Sequence, residues 1–395
     1  MSVDTSLTPV PFARPSIGVE EEEAVLAVMR SGWLTTGAVS AQFEQEFAKE
    51  VGARHALALN SATAGLHLAL ESLGVGPGSV VITTPYTFAS SAEVARYLGA
   101  DPVFVDIDES TLNIDPVLVE STVERVSREG RRVSALLPVH VAGRPCDMEA
   151  IHRVSLAHGI PIVEDAAHAF PVMYGDRHVG TIGDAGVYSF YATKTITTGE
   201  GGMVVTDRDE VAARIRIMRL HGIDRDVWNR YTEPGASWKY DIVAAGYKYN
   251  LTDLAAAIGR VQLKKARSFL ERRRAIVRRY LTAFSAFDFL TLPSWTENHA
   301  WHLFIVRLKD GKLALSRDEL ITELQARGIG VSVHFIPLHI MSYYRERYGL
   351  QPEDFPVAHA CYESSVSLPL SASLTDDEVD RVIAAVAEIG VAHHR

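Results

Sequence analysis

The feature that most constrains the fold is a regular alternation of short apolar strands with helical segments through the first half of the chain. Uniformly apolar runs are typical of strands that are buried on both faces. Their alternation with helices favours a largely parallel sheet that helices cover on both sides. We therefore predict an α/β domain with a mostly parallel mixed sheet. Its strands are predicted at residues 55–59, 80–84, 101–106, 133–139, 160–164 and 203–206, and helices at 20–30, 39–51 and 66–73.

One lysine, Lys194, stands out in the segment DAGVYSFYATKTITTGEGG at residues 184–202. It follows a β-rich run and precedes a turn-rich run, which predicts a loop at a strand end, where binding and catalytic residues concentrate. An exposed surface lysine would be the ordinary interpretation of any lysine taken alone. The neighbours of Lys194 are small and hydroxylated instead of charged, however, and burial of a lysine lowers its pKa and frees the amine to form a Schiff base.

Two more candidate sites lie where predicted strands end. The run 160–164 is apolar until Glu164 and Asp165, and the carboxyl end of a strand is the usual place for functional groups on an open α/β sheet. After the strand 55–59, a turn of small residues at 60–65 opens a helix, where backbone N–H groups and the helix dipole can bind an anion. Simple capping of this helix by Ser61 or Thr63 is the other interpretation, and the two are compatible.

The segment SFYATKTITTGEGG resembles the lysine segment of the DegT/DnrJ/EryC1/StrS family, pyridoxal-phosphate (PLP) aminotransferases that act on nucleotide-linked keto-sugars. VEDAAH at 163–168 resembles a second signature of this family, and the likeness extends from VPFARPSIG near residue 10 to SVHFIPLH near 335. GYKYNLTD, AWHLFIV and EDAAHA are most similar to the UDP-4-amino-4-deoxy-L-arabinose–oxoglutarate aminotransferase branch. The resemblance implies the type I fold of PLP-dependent transferases.

The resemblance also implies roles for individual residues. PLP is an electron sink when its pyridine nitrogen is protonated, so a carboxylate must face that nitrogen, and Asp165 matches this role. Lys194 would bind PLP covalently and then move a proton between the amino donor and the cofactor. Family members that act as dehydratases carry histidine in place of this lysine, so its presence favours transamination. The other cofactor-binding residues implied are Ala62, Thr63 and Ser189 at the phosphate, Phe88 on the ring face and His168 beside the ring.

Two residues are expected to connect the site to its partners. Asn250, in GYKYNLTD, resembles an asparagine that reaches the PLP phosphate of the neighbouring subunit, which implies a homodimer with shared active sites. His334 resembles a position near the sugar nucleotide. The small-molecule substrates implied are a nucleotide keto-sugar and L-glutamate, which becomes 2-oxoglutarate.

The pattern changes after Pro293. A strand at 302–308, a helix at 317–327, a strand at 330–335 and a helix at 376–389 predict a smaller α+β domain. We therefore predict a large PLP-binding domain at residues 1–255, with an N-terminal arm, and a long connecting helix with a small C-terminal domain at 256–395. The stretch 221–247 is long for a connection, which favours a functional or interface loop; its notable residues are His221, Arg225, Arg230, Trp238 and Lys239.

Composition excludes several classes of function. The chain has 395 residues, of which 47% are hydrophobic, and its net charge of −10 argues against general binding to nucleic acid. We expect neither a secretory signal nor a membrane span, and the two cysteines lack the spacing of a disulfide or metal site, so a cytoplasmic protein is expected. No metal site is predicted, because His299 and His302 have no nearby carboxylate partner and are interpreted as core or surface histidines.

The leading hypothesis is an aminotransferase that moves an amino group from L-glutamate to a nucleotide-linked 4-keto sugar, with a UDP-linked pentose or hexose favoured. One alternative is the same chemistry on a dTDP-linked or 3-keto sugar. Another is a non-catalytic regulator that keeps the PLP fold. The intact set of Lys194, Asp165 and Ser189 argues against the regulator, since such a protein would be free to lose these residues.

Overall fold

The computed structural model, which describes residues 8–224 and 240–395, is built on a mixed β-sheet. The strands in chain order are β1 (His55–Leu59), β2 (Ser79–Thr83), β3 (Asp101–Phe104), β4 (Arg132–Leu136), β5 (Val163–Asp165), β6 (Met173–Tyr174), β7 (Arg177–His178), β8 (Ala185–Ser189), β9 (Gly202–Thr206), β10 (Leu290–Thr291), β11 (Phe304–Leu308) and β12 (Ser365–Leu368).

Two strand groups, β1-β9-β8-β5 and β3-β2-β4, are joined into one sheet. Parallel bridges from Leu136 to Ile162 and from Val139 to Asp165 continue the pairing between β4 and β5. The resulting order is β1-β9-β8-β5-β4-β2-β3. Strand β9 is antiparallel to both of its neighbours and the other pairs are parallel, so the predicted mostly parallel mixed sheet is confirmed.

The helices in chain order are α1 (Val19–Ser31), α2 (Ala38–Val51), α3 (Ala62–Ser72), α4 (Ser90–Tyr97), α5 (Pro116–Arg128), α6 (Met148–His158), α7 (Asp209–Met218), α8 (Asp253–Phe284), α9 (Arg317–Ala326), α10 (Ser342–Tyr348), α11 (Pro356–Ser364) and α12 (Asp376–His393). Strands β2 and β9 are buried along their whole length, as expected for a sheet covered by helices on both faces. Local signals set the helix ends: Asp115 caps α5 with Pro116 in its first turn.

The C-terminal residues form a second, antiparallel sheet in the order β10-β11-β12. Its apolar core includes Tyr280, Phe284, Trp301 and Phe304, and α9 and α12 contribute to the same core. Helix α8 connects the two parts of the chain, because its first half packs on α1 and α2 and its second half on this core. The predicted boundary at residue 255 falls at the start of α8, and the division into two domains remains a prediction.

Several predicted bounds shift by a few residues, such as the strand predicted at 160–164, which is Val163–Asp165 in the structure. Two differences have an identifiable physical reason. The helix predicted at 66–73 begins at Ala62, because the Ser61 hydroxyl accepts the Ala64 N–H and starts the helix one turn earlier. The segment 330–335 is not a strand; it makes one bridge, from Ser332 to Ser367. Its start pairs instead with the N-terminal arm, since the Gly330 N–H donates to the Val10 carbonyl.

The remaining predictions for the fold concern the stretch 221–247 and the expected absence of a membrane span. Arg225, Arg230, Trp238 and Lys239 lie outside the described residues, and the described flanks of that stretch make isolated bridges such as Ile223 to Ile242. Within residues 8–224 and 240–395, none of the helices combines the length and the apolar character needed to cross a membrane.

Candidate active site

The carboxyl ends of several strands meet at one edge of the main sheet and surround a cavity of about 560 Å³. Strands β1, β2, β5 and β8 all end at this edge, because β1 and β8 are both antiparallel to β9. Of the residues predicted from the sequence, all but Asn250 line this cavity: Ala62, Thr63, Phe88, Asp165, His168, Ser189, Lys194 and His334.

Lys194 lies on the loop that follows β8, as the sequence predicted. Its backbone N–H donates to the Tyr191 carbonyl at 2.9 Å, and the Thr198 N–H returns to the Phe190 carbonyl at 2.9 Å, which holds the loop in a tight turn. The side chain is half-buried, and burial lowers its pKa from 10.5 to about 8, while the negative charge of Asp165 acts in the opposite direction. A substantial fraction of this amine is therefore neutral near physiological pH.

Asp165 is the last residue of β5 and is almost fully buried. Its carboxylate accepts hydrogen bonds from the Ser91 hydroxyl at 2.8 Å and from the Ala167 N–H at 3.2 Å. Burial raises the pKa of Asp165, and these two hydrogen bonds, followed by the charge of Lys194, oppose that rise. The side chain of Glu164 points to the other side of the strand, as alternation along a strand requires.

The first turn of α3 has backbone N–H groups that could bind an anion beside the cavity. The first N–H groups of a helix have no intrahelical acceptor, and Ser61 caps that of Ala64, so those of Ala62 and Thr63 remain available at the cavity wall. Gly202 lies against this turn, and a Cβ at Gly202 would come within 2.5 Å of the Ala62 nitrogen. Ser189 pairs with Gly202 across β8 and β9, which brings its hydroxyl to the same wall.

Three histidines and Phe12 form another part of the cavity lining. The rings of His168 and His302 lie 4.3 Å apart between centroids, and Phe12 from the N-terminal arm stacks on His334 at 5.4 Å. Burial lowers the pKa of His334 to about 4 and those of His168 and His302 well below the usual value, with further lowering from the charge of Lys194 on His168 and His334. These imidazoles are therefore neutral at physiological pH.

Two predicted residues have a different setting from the rest. Phe88 lines the cavity at its rim and is 65% exposed, so its ring is free to cover a ligand. Asn250 lies outside the cavity lining: its amide donates to Thr36 Oγ1 at 2.6 Å, and its oxygen accepts from Lys248 Nζ at 2.5 Å.

The structure adds cavity residues that the sequence did not single out. Phe12 and Thr87 line the cavity, and Ser91 contacts Asp165 directly behind it. His302 also lines the cavity, whereas the sequence placed it among core or surface histidines; His299 stacks on Trp301 instead. In the described part of the chain no group of histidine, cysteine and acidic side chains has the arrangement of a metal site.

The site fits PLP in four respects. The cradle at Ala62 and Thr63 suits a phosphate, and the absence of a Cβ at Gly202 keeps it open. Asp165 lines the same cavity as a buried carboxylate for a pyridinium nitrogen, and the amine of Lys194 is available to react with an aldehyde. The buried Nδ1 of His168 has no hydrogen-bond partner among the described residues, so a polar group in the cavity would satisfy it.

The chain belongs to the DegT/DnrJ/EryC1/StrS aminotransferase family, whose model matches residues 15–387. Enzymes of this family use PLP, and the chain is therefore a PLP-dependent aminotransferase. The family predicted from the motifs around Lys194 is confirmed.

Individual relatives agree with this assignment. The chain is 48% identical over 383 residues to the spore coat polysaccharide biosynthesis protein SpsC of Bacillus subtilis, covering 96% of this chain and 97% of SpsC. Among solved structures, Spr1654 from Streptococcus pneumoniae has a TM-score of 0.88 in its PMP form and 0.87 in its PLP form, at 33% identity, covering 97% of this chain and 99% of that one. PseC of Helicobacter pylori, an aminotransferase involved in the biosynthesis of pseudoaminic acid, has a TM-score of 0.89 at 26% identity, covering 98% and 100%. The predicted type I PLP-transferase fold is confirmed.

Proposed function

We propose that this protein transfers an amino group from L-glutamate to the keto carbon of a nucleotide-linked 4-keto sugar, with a UDP-linked pentose or hexose as the favoured acceptor. The main support is the single cavity in which Lys194 and Asp165 meet the anion cradle of α3. A sugar acceptor is supported by the similarity to SpsC and PseC, which take part in polysaccharide and pseudoaminic acid biosynthesis. The UDP group and the C4 position rest on the likeness of GYKYNLTD and AWHLFIV to one branch of the family.

Lys194 has two tasks in this proposal. Its amine would hold the cofactor covalently until the donor amino acid replaces it. Once free, the amine, whose pKa is lowered by burial, would act as the base that takes the proton of the donor α-carbon and as the acid that returns it. Because the same side chain gives and takes this proton, Lys194 also serves the reverse reaction on the sugar ketone.

Asp165 keeps the ring nitrogen of the cofactor protonated. PLP supplies an electron sink that accepts the electron pair of the deprotonated α-carbon. The ionised carboxylate of Asp165 stabilises the positive charge that this sink requires, and its burial strengthens the interaction because water does not screen it. The cradle at Ala62, Thr63 and Ser189 would hold the phosphate at one end of the cofactor, and Asp165 would hold the ring nitrogen at the other.

The remaining cavity residues are proposed to position the substrates. His334, oriented by a 2.9 Å contact between its Nδ1 and Ser367 Oγ, is placed to hydrogen-bond a sugar hydroxyl. His168 tunes the ring environment, and Phe88 at the rim covers the ring face. Because these imidazoles are neutral, they offer hydrogen bonds without adding charge beside Lys194.

We also propose a homodimer in which Asn250 completes the site of the neighbouring subunit. Among the described residues that line the cavity, Lys194 is the one cation, while the proposed substrates carry carboxylates or a diphosphate. Asn250 is outside its own cavity and is followed by α8, with the exposed Lys248 bonded to its amide oxygen. A second copy that brought this edge to the cavity would add both an amide donor and a positive charge.

The product is proposed to enter polysaccharide biosynthesis, lipopolysaccharide included, in the cytoplasm. The polysaccharide part of this proposal is supported by the similarity to SpsC, a spore coat polysaccharide biosynthesis protein.

A substrate panel with Lys194→Ala as control tests the proposed function. Wild-type enzyme with PLP and glutamate is offered UDP- and dTDP-linked 4-keto and 3-keto sugars, and 2-oxoglutarate and the amino sugar are measured. We expect turnover with at least one UDP-4-keto sugar, none with Lys194→Ala, and unchanged turnover in Lys49→Ala, which removes an exposed lysine from α2. Absence of turnover on every keto-sugar would overturn the assignment, and a preference for dTDP-linked or 3-keto acceptors would replace the favoured substrate.

A further inference from the structure

Asp165 is held by a second residue that no sequence motif identified. Its Oδ2 accepts the Ser91 hydroxyl at 2.8 Å and its Oδ1 accepts the Ala167 N–H at 3.2 Å. In the described part of the chain no arginine, lysine or histidine forms an ion pair with Asp165. The Ser91 hydroxyl is therefore the one side-chain donor that meets this carboxylate in the described structure.

The direction of the hydrogen bonds is fixed by the chemistry of the three groups. An ionised carboxylate only accepts, so the Ser91 proton is committed to Asp165. The Thr87 hydroxyl lies 2.8 Å from the Ser91 oxygen and must then donate its own proton to it. The result is a chain of two hydrogen bonds, in which Thr87 donates to Ser91 and Ser91 donates to Asp165.

The position of this hydrogen-bond chain in the fold makes it rigid. Thr87 follows β2 and Ser91 lies in the first turn of α4, four residues later, and both side chains are buried. Thr87 also lines the cavity, so the hydrogen-bond chain runs from the cavity wall to the carboxylate of Asp165. Both carboxylate oxygens are occupied by donors, an arrangement that suits the ionised form better than the protonated acid.

We propose that Ser91 is a positioning residue that, itself oriented by Thr87, keeps Asp165 ionised and aimed at the ring nitrogen of the cofactor. This inference rests on the proposed use of Asp165 and deepens it. Loss of the Ser91 hydroxyl leaves a buried carboxylate with one donor, so proton uptake by Asp165 becomes easier and its hold on a protonated ring weakens.

The test measures cofactor binding without any sugar substrate. PLP is titrated into apoenzyme, and the absorbance of the bound cofactor is followed against pH. Ser91→Ala should weaken PLP binding by about tenfold or more, the size of a lost hydrogen bond to a charged group. It should also lower the pH midpoint at which the ring nitrogen of the bound cofactor loses its proton. Ser134→Ala removes a buried hydroxyl of β4 that has no hydrogen-bond partner within residues 8–224 and 240–395, and it should change neither quantity.

Thr87 provides an isosteric second variant should Ser91→Ala fold poorly. Thr87→Val keeps the shape and removes the donor, so it should shift both readouts in the same direction, whereas Thr87→Ser keeps the hydroxyl and should restore them. The proposal also requires coupling: in an Asp165→Asn background, Ser91→Ala should cause little further loss of PLP affinity.

Two results would overturn the proposal. One is wild-type PLP affinity and an unchanged pH midpoint in both Ser91→Ala and Thr87→Val. The other is a loss in Ser91→Ala that adds fully to that of Asp165→Asn, which would indicate general damage to the fold. Neither result depends on which sugar the enzyme accepts, so failure of this inference is distinguishable from failure of the proposed function.

Discussion

Glu164 and His140 form a fully buried pair, with 3.1 Å between Glu164 Oε2 and His140 Nε2. The Nδ1 atom of His140 accepts the Cys146 N–H at 3.0 Å, so the ring proton of the neutral imidazole is on Nε2 and is donated to Glu164. The same carboxylate accepts N–H groups of the loop 180–183: those of Gly180, Ile182 and Gly183. One side chain therefore anchors that loop and the strand that ends in Asp165.

Glu164→Gln should destabilise the protein by about 3 kcal/mol, because the variant loses buried hydrogen bonds that a charged carboxylate accepts from His140 and from the loop 180–183. The amide would place N–H donors against the donors of the loop and of His140. The free energy of unfolding from urea titration measures the effect. Glu149→Gln is the matched control, because Glu149 pairs with Arg153 on an exposed helix face, where such pairs contribute about 0.5 kcal/mol. Equal free energies of unfolding in the two variants would show that the Glu164–His140 pair does not stabilise the fold.

Asp165→Asn should fold but lose activity by roughly a hundredfold or more, comparable to the loss of one charge-stabilising group in other enzymes. A neutral amide cannot hold the positive charge of a protonated ring nitrogen. Steady-state kinetics with glutamate and the accepted sugar, together with a melting curve, separate lost chemistry from lost folding. A variant with near wild-type rate would show that another group faces the ring nitrogen.

The rate at which apoenzyme captures PLP covalently should rise with pH and level off above about 8. Burial lowers the pKa of Lys194 from 10.5 to about 8. The reactive neutral amine is therefore scarce at pH 6, and it is the main form above pH 8. Stopped-flow absorbance across this range measures the capture rate. A rate that keeps climbing to pH 10 would mean that Lys194 titrates like an exposed lysine.

Mixing two inactive variants should restore activity if the active sites are shared. In a dimer of Lys194→Ala with Asn250→Asp, one site would carry both defects and the other neither, so on the order of a quarter of wild-type activity should return after random re-association. The added carboxylate of Asn250→Asp should repel the cofactor phosphate, which makes that parent inactive.

The control for this experiment pairs Lys194→Ala with Asp165→Asn. Both residues line the cavity of the same chain, so every mixed site keeps one defect and no activity should return. If Lys194→Ala with Asn250→Asp also restores nothing, although subunit exchange is demonstrated, each chain supplies its own Asn250 and the shared site is wrong.

Much of this site was predictable because its signals are local. An apolar strand that ends in Glu164 and Asp165, a small-residue turn before α3 and a lone lysine among hydroxylated neighbours are each contained in a few consecutive residues. Strand periodicity, capping and turn chemistry act over the same short range. The alternating strands and helices were therefore predictable, together with the edge of the sheet at which their functional ends meet.

Tertiary structure alone decided what lies around those ends. Ser91 reaches Asp165 across 74 positions of sequence, and Phe12 reaches His334 from the opposite end of the chain. The order of the strands and the pairing of Val10 with Ile329, which replaced the strand predicted at 330–335, likewise depend on long-range hydrogen bonds. Many strand pairings satisfy the same local pattern, and the packing of the whole chain selects one of them, because only that pairing buries the apolar faces of the sheet and helices together.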